Sequence, residues 1–212
     1  MAVIFDMDGV LADTEPIHQM ALEEVLARRG HRIGVDEYAK LVGLGHHAAW
    51  GWIRRRFHLA EDQAAYDAEY EATLLPLLGA DTQPAPGVLE LISTLRAEGV
   101  LLAVASSSNR SVVAATLDAL GLSSAFAVTV SGNEVSRGKP DPEIFLLAAR
   151  RLGVSPSECV VIEDSPHGMR AARAAGMRVV AITSRYTQGV ELPADVIVSS
   201  VVELTLAGSL VS

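Results

Sequence analysis

The chain has 212 residues, of which 50% are hydrophobic, and 17 basic against 26 acidic side chains give it a formal net charge of −9. This length suits one domain, or one domain with a smaller insertion, and the acidic balance disfavours nucleic acid and anionic membranes as partners. No apolar run has the length of a membrane span, no export signal is visible, and Cys159 has no second cysteine to pair with. We therefore expect a cytoplasmic protein, either a monomer or a weak homodimer.

Short runs rich in Val, Ile and Ala alternate with helical patterns along most of the chain. The runs predicted as strands are Val3–Phe5, Leu101–Ala105, Phe126–Val130, Val160–Ile162, Val179–Ile182 and Val196–Val198. The helical patterns are Leu89–Glu98, Val112–Leu120, Glu143–Leu152 and Met169–Ala175, and a glycine, which is a helix-ending signal, follows each. This alternation predicts an α/β fold, a Rossmann-like doubly wound parallel sheet with helices on both faces.

One region interrupts the alternation with helical patterns alone, His18–Arg29, Ala48–Phe57 and Asp62–Leu75. We predict an all-helical cap domain over residues 16–80, inserted into a core domain made of residues 1–15 and 81–212. Both ends of the insertion fall near the carboxyl end of the first strand, which is the edge where open parallel sheets bind ligands. The insertion is therefore predicted to act as a lid; the alternative is a helical layer that only packs on the core.

Two carboxylates, Asp6 and Asp8, directly follow the first predicted strand. Side chains two residues apart in an extended chain point the same way, so the two groups converge. Adjacent carboxylates repel each other unless a cation or a shared proton compensates, and Mg²⁺ prefers such oxygen ligands. The pair therefore indicates a metal site, with an Asx turn and helix cap as the alternative.

Three further polar clusters follow later strands. The hydroxyls and amides of Ser106–Asn109 precede a helix and suit an anion, although Ser and Asn are also ordinary N-caps. Lys139 lies in a proline-stiffened loop, where it would neutralise an anion; the alternative is a solvated lysine. Glu163 and Asp164 end another strand, with a helix cap by Asp164 or Ser165 as the alternative. Because the clusters share one edge of the sheet, together they predict a site for a divalent metal and an anion.

Four stretches, DMDGVLADTEP, ASSSN, GKPDPEIF and IEDSPHGMRAARAAGM, occur in this order. They resemble the four motifs of the haloacid dehalogenase-like superfamily, in the branch with a helical cap after the first motif. That branch contains β-phosphoglucomutase, phosphoglycolate phosphatase and sugar-phosphate phosphatases. The resemblance implies a Mg²⁺-dependent phosphoric monoester hydrolase that acts on a small phosphorylated metabolite.

The resemblance also implies a role for each motif residue. Asp6 would be the nucleophile that carries the phosphoryl group, and Asp8 would be the general acid and base, with its backbone carbonyl on Mg²⁺. Asp164 would bind the metal, with Glu163 either binding or orienting it. Lys139 would bridge the phosphoryl group and Asp6. The phosphoryl oxygens would be held by Ser106, Ser107, Ser108 and Asn109.

The cap residues bear on the choice between phosphatase and mutase. His18 matches a histidine found in both. Val42 and His46 stand where the mutase pattern carries a lysine and an arginine, and a further mutase lysine falls near Leu74. Histidine is a poor replacement for arginine, and most of the run Arg54–Arg56 is expected to be solvated. The sequence therefore favours hydrolysis of a sugar monophosphate.

Several alternatives stay open at this point. They are a β-phosphoglucomutase-type mutase, a phosphoglycolate phosphatase, a phosphate-accepting receiver domain and a catalytically idle binding protein. The cap residues expected to line the leaving-group pocket are His18, Leu44, His46, His47 and Trp50.

Overall fold

The computed structural model describes residues 1–41, 46–60, 62–184, 187 and 189–207. In this part of the chain, six parallel strands form one sheet in the order β3-β2-β1-β4-β5-β6. The strands are β1 (Ala2–Phe5), β2 (Leu101–Ala105), β3 (Val128–Val130), β4 (Cys159–Glu163), β5 (Arg178–Ile182) and β6 (Val196–Val198). The chain winds outward from β1 in both directions, which confirms the predicted doubly wound α/β fold.

Helices cover both faces of the sheet, because alternate residues of β1 enter two different hydrophobic clusters. The core helices are α5 (Val88–Ala97), α6 (Arg110–Ala119), α7 (Glu143–Leu152), α8 (Pro166–Ala174) and α9 (Val202–Ala207). Val3 and Phe5 pack in one cluster with Leu91 of α5, whereas Ile4 packs in the other with Phe145 of α7. Both faces of β1 are therefore buried, as its unbroken apolar run predicts.

Four helices lie between β1 and α5: α1 (Glu15–Ala27), α2 (Val35–Tyr38), α3 (His46–Phe57) and α4 (Gln63–Asp81). They have a hydrophobic cluster of their own, which includes Leu26, Trp50 and Tyr66. Leu74 and Leu78 of α4 instead join the cluster that contains Phe5. The long helix α4 thus fastens the insertion to the core; the division into two domains and the lid role stay predictions.

Most predicted elements differ from the structure by a few residues at their ends, and packing explains two of these differences. The helix expected to end at Leu75 continues to Asp81 although Pro76 lies inside it, because Leu74 and Leu78, one turn apart, are both fully buried. The strand expected from Phe126 begins at Val128, since the ring of Phe126 packs edge-on against Phe5 at 5.9 Å.

Within the described ranges, none of the helices combines the length and the apolar character needed to cross a membrane.

Candidate active site

The strand register brings the predicted polar clusters to one edge of the sheet. Phe5 pairs with Val104 of β2 on one side and with Ile162 of β4 on the other. Asp6, the next residue, therefore lies at the carboxyl end of β1, between the ends of β2 and β4. The backbone N–H of Asp6 donates a hydrogen bond to the carbonyl of Ile162 at 2.9 Å. A cavity of about 500 Å³ opens at this edge, and its lining includes Asp6, Asp8, His18, Ser107, Ser108, Asn109, Lys139, Glu163 and Asp164.

Lys139 is buried in the middle of this site, with its side chain 5% exposed. Its Nζ donates to Asp6 Oδ1 at 2.5 Å, to Glu163 Oε1 at 2.8 Å and to the carbonyl of Ala105 at 3.1 Å. Burial alone would lower the pKa of Lys139, but attraction to Asp6 and Glu163 raises it above its usual value. Lys139 is therefore a permanently charged, ion-paired residue rather than a solvated surface lysine.

A cluster of three carboxylates lies beside this lysine. One carboxylate oxygen from each of Asp6, Glu163 and Asp164 lies within 4.8 Å of the others. Burial, with repulsion from Glu163 and Asp8, raises the pKa of Asp6 to about 8 although Lys139 opposes the shift. Burial, with repulsion chiefly from Glu163 and Asp6, raises the pKa of Asp164. Asp6 and Glu163 of this cluster contact Lys139, whereas Asp164 completes the cluster beside them. Such crowding of buried carboxylates is relieved by a hard divalent cation, whose preferred ligands are oxygens. The donor set therefore fits a divalent metal.

Two glycines allow backbone to approach these carboxylates closely. A Cβ on Gly9, which has a φ of +79°, would lie 2.1 Å from Asp164 Oδ2. A Cβ on Gly168 in α8 would lie 1.5 Å from Glu163 Oε1. The other oxygen of Glu163 accepts a hydrogen bond from the backbone N–H of Ser165 at 2.6 Å, and Ser165 caps α8 through the N–H of Gly168. The lack of a side chain at Gly9 and at Gly168 thus leaves the space that Asp164 and Glu163 occupy.

Asp8 lines the same cavity in a different environment. Its Oδ1 accepts a hydrogen bond from Thr14 and lies 3.5 Å from His18 Nε2, while its Oδ2 accepts from Ser108 Oγ at 3.1 Å. Burial raises the pKa of Asp8, but His18, Thr14 and Ser108 together outweigh burial and lower it. The two aspartates of the first motif therefore differ in chemistry: the surroundings raise the pKa of Asp6 and lower that of Asp8.

The serine-rich segment after β2 supplies hydroxyl and amide groups at the same edge. Ser106 is fully buried, and its Oγ accepts from the N–H of Ser108 at 3.0 Å and lies 3.5 Å from Asp8 Oδ2. Asn109 holds the N-cap position of α6, and its Nδ2 donates across the cavity to Glu71 of α4 at 3.5 Å. The predicted anion site therefore also links the core to the helical insertion.

The cavity continues under the helical insertion, as a leaving-group pocket requires. This part is lined by Glu15, His18, Leu22, Tyr38, Trp50, Ile53, Asp67, Tyr70, Glu71 and Leu74. His18 and Trp50 are thus at the cavity, as expected. The described part of the structure does not include Leu44 or the side chains of His46 and His47. It also leaves out Val42, the position used to distinguish a mutase from a phosphatase. Arg54, Arg55 and Arg56 are exposed to solvent.

Sequence reasoning missed three contributors to the site. Thr14 donates a hydrogen bond to Asp8, and Glu71 accepts one from Asn109. The hydroxyl of Tyr70 is hydrogen-bonded to His18. Thr14 could have been found, because it falls inside the first motif stretch, just before the helix that starts at Glu15. Tyr70 and Glu71 gave no local signal, since they lie in the middle of a long helix whose placement over the core depends on tertiary packing.

Comparison with known proteins identifies the family. A family model described as a haloacid dehalogenase-like hydrolase matches residues 1–176. The chain therefore belongs to the haloacid dehalogenase-like hydrolase family, as its four motifs predict. The similarity to phosphatases of this family confirms the predicted class of enzyme, a phosphoric monoester hydrolase.

Individual relatives are similar over most of the chain. Protein CbbY of Rhodobacter capsulatus is 35% identical over 205 residues, covering 89% of this chain and 87% of that protein. Fructose-1-phosphate phosphatase YqaB of Escherichia coli K12 is 34% identical over 181 residues, covering 84% and 94%. The Arabidopsis thaliana protein SUPPRESSOR OF QUENCHING 1 is 37% identical over 193 residues; these cover 89% of this chain but 18% of that longer protein.

Solved structures agree with these relatives. Crystal structures of CbbY from Rhodobacter sphaeroides, one with phosphate and a mutant with xylulose-(1,5)bisphosphate, each align with a TM-score of 0.87 at 31% identity. Each alignment covers 98% of this chain and 97% of the CbbY chain. The likeness thus includes the helical insertion as well as the sheet.

Proposed function

We propose that this chain is a Mg²⁺-dependent phosphatase that hydrolyses a sugar monophosphate through a phosphoryl group carried on Asp6. The observation that carries the proposal is the convergence of Lys139, the carboxylate cluster and Asp8 on one cavity. A buried cation next to an acidic cluster supports the capture of an anion at a metal, and a second carboxylate in the same cavity supports proton transfer.

The metal would be held by the carboxylates of Asp6 and Asp164 and by the backbone carbonyl of Asp8. Glu163 would chiefly orient the site, because Lys139 and the N–H of Ser165 already engage its two oxygens. When bound, Mg²⁺ supplies positive charge that offsets the repulsion between an anionic nucleophile and an anionic ester.

In the first step, an Asp6 oxygen attacks phosphorus and the bond from phosphorus to the leaving oxygen breaks. Asp8, protonated in the substrate complex, gives its proton to that oxygen, so that a neutral alcohol departs. Lys139 neutralises charge on the transferring group from its place beside Asp6 Oδ1. Ser106, Ser107, Ser108 and Asn109 hold the phosphoryl oxygens.

In the second step, water attacks the phosphorus of the acyl phosphate, Asp8 takes its proton, and the bond to Asp6 breaks to release phosphate. The surroundings of Asp8 suit this role, since Thr14, His18 and Ser108 favour its ionised form. The same carboxylate therefore serves as acid in one step and base in the next.

The cap side of the cavity supports a neutral, hydroxyl-bearing leaving group. Glu15, Asp67 and Glu71 line this side, and among the described lining residues the permanent positive charges are Lys139 and Arg170 of the core. Fixed carboxylates repel a second phosphate or a carboxylate and accept hydrogen bonds from sugar hydroxyls. A sugar monophosphate thus fits this cavity better than a sugar bisphosphate or phosphoglycolate.

The test is release of inorganic phosphate from fructose 1-phosphate, glucose 6-phosphate, phosphoglycolate and xylulose 1,5-bisphosphate, each with Mg²⁺ and with a chelator. We expect Mg²⁺-dependent turnover, with kcat/KM highest for a monophosphorylated sugar. Turnover that is unaffected by chelation would refute the metal role, and a preference for the bisphosphate would refute the substrate class.

A separate assay addresses the mutase. β-Glucose 1-phosphate is supplied with a hexose bisphosphate primer, and glucose 6-phosphate and free phosphate are both measured. We expect free phosphate to form faster. If glucose 6-phosphate forms faster, the chain is a mutase.

A further inference from the structure

Resting on the proposed function, we propose that Tyr70 is a positioning residue that acts through His18 to hold Asp8 in place for acid–base catalysis. Tyr70 lies on α4 of the insertion, His18 on α1, and Asp8 after β1 of the core. The Tyr70 hydroxyl lies 2.8 Å from His18 Nδ1, and His18 Nε2 lies 3.5 Å from Asp8 Oδ1. The first contact is a hydrogen bond, whereas the second is a charge contact, because Nε2 has no hydrogen-bond partner among the described residues. Together the two contacts lead from the insertion to the proposed proton-transfer group.

The tyrosine is itself held by neighbouring rings. The Tyr70 ring stacks on Tyr66 with centroids 5.9 Å apart and an interplanar angle of 9°, and Tyr66 stacks on Trp50 at 4.2 Å. The ring of His18 lies 6.3 Å from that of Tyr70 at an angle of 27°. Stacking and burial restrict rotation of these side chains, so the hydroxyl of Tyr70 is pre-positioned for Nδ1.

The Tyr70 hydroxyl affects which nitrogen of the His18 imidazole carries the proton. Burial, with smaller contributions from nearby charges, raises the pKa of Tyr70 well above its usual value, so the O–H stays available as a donor. A hydroxyl can donate to Nδ1 or accept from it, but an ionised Asp8 can only accept, so the favoured neutral imidazole accepts the hydroxyl proton at Nδ1 and carries its own proton on Nε2. In an imidazolium both nitrogens carry protons and the hydroxyl oxygen accepts from Nδ1. In either state, the nitrogen that faces Asp8 carries a hydrogen.

A hydrogen on Nε2 matters because Asp8 accepts contacts on both oxygens. Thr14 and His18 approach Oδ1, and Ser108 holds Oδ2, so these contacts restrict rotation of the Asp8 carboxylate. Without the Tyr70 hydroxyl, a neutral ring can place its lone pair on Nε2. That lone pair would repel Asp8 and let both side chains turn away.

The test compares substrates that differ in their need for an acid. The alkoxide of fructose 1-phosphate must be protonated as it leaves, whereas the phenolate of para-nitrophenyl phosphate departs without protonation. Because kcat/KM reports the steps up to phosphoryl transfer, we expect Tyr70→Phe to lower it about 10- to 100-fold for fructose 1-phosphate and less than about threefold for para-nitrophenyl phosphate. Tyr66→Phe removes a hydroxyl from the adjacent ring and should keep the wild-type ratio between the two substrates.

A double-mutant cycle then tests the route through His18. If Tyr70 acts through the imidazole, His18→Ala combined with Tyr70→Phe is no worse than His18→Ala alone. Additive losses in the cycle would overturn the inference while leaving the proposed function intact. So would a Tyr70→Phe protein in which the ratio of kcat/KM between the two substrates is unchanged. A wild-type protein that releases no phosphate from either substrate would overturn both.

Discussion

Replacing Gly168 with alanine would push a methyl group into Glu163, a member of the site's central ion pair. The new Cβ would lie 1.5 Å from Glu163 Oε1, so this carboxylate must move by about 2 Å to restore ordinary contact. That movement breaks its bonds to Lys139 and to the N–H of Ser165. Because breaking a buried ion pair costs about 3–5 kcal/mol, and 1 kcal/mol shifts Tm by about 2–4 °C at this size, we expect Tm to fall by about 6–20 °C.

Thermal unfolding and phosphatase assays at saturating Mg²⁺ measure this effect. We expect turnover to fall in parallel, since Lys139 loses one of its two carboxylate partners. Gly79→Ala is the matched control, because a Cβ at this position would have no neighbouring atom within 4 Å and Gly79 is exposed in α4. Its Tm should be equal or higher, as alanine is favoured over glycine in a helix. A Gly168→Ala protein with the wild-type Tm and turnover would refute the close packing argued for Glu163.

Three further substitutions or conditions test the chemistry. Asp6→Asn should lower turnover at least about 1000-fold with a Tm near that of the wild type, measured by phosphate release, because an amide cannot form the acyl phosphate; substantial activity would rule out Asp6 as nucleophile. Asp8→Ala should lower steady-state turnover about 100-fold or more, since both proton transfers fail, and wild-type rates would disprove its role. Without metal, the raised pKa of Asp6, about 8, means that the folded state keeps a proton which the unfolded state releases above about pH 4, so stability should fall as pH rises through this window. Added Mg²⁺ should therefore raise Tm most near pH 8, and a Tm gain that is equal at pH 5 and pH 8 would contradict this linkage.

Much of the fold follows from local signals in the sequence. The buried strand Ala2–Phe5 is apolar on both faces, and such runs in alternation with glycine-ended helices leave few topologies besides a doubly wound sheet. The polar clusters after β1, β2 and β4 were predictable for the same reason, because parallel strands end at one edge.

The remaining features depend on tertiary packing. Leu78 keeps α4 helical beyond Pro76, and a propensity argument has no access to that burial. Tyr70 reaches His18 across 52 positions of sequence, and its partner is set by how two helices cross above the sheet. The cap contributions to the site therefore could not be derived from spacing, whereas the core motif residues could.

The most direct measurement is a crystal structure of the protein grown with Mg²⁺ and beryllium fluoride, a mimic of a phosphorylated aspartate. We predict beryllium bonded to an oxygen of Asp6, Lys139 against a fluoride, and the ion between Asp6 and Asp164. Fluoride bound elsewhere, or an ion that Asp6 and Asp164 do not contact, would contradict the proposed phosphoryl transfer to Asp6.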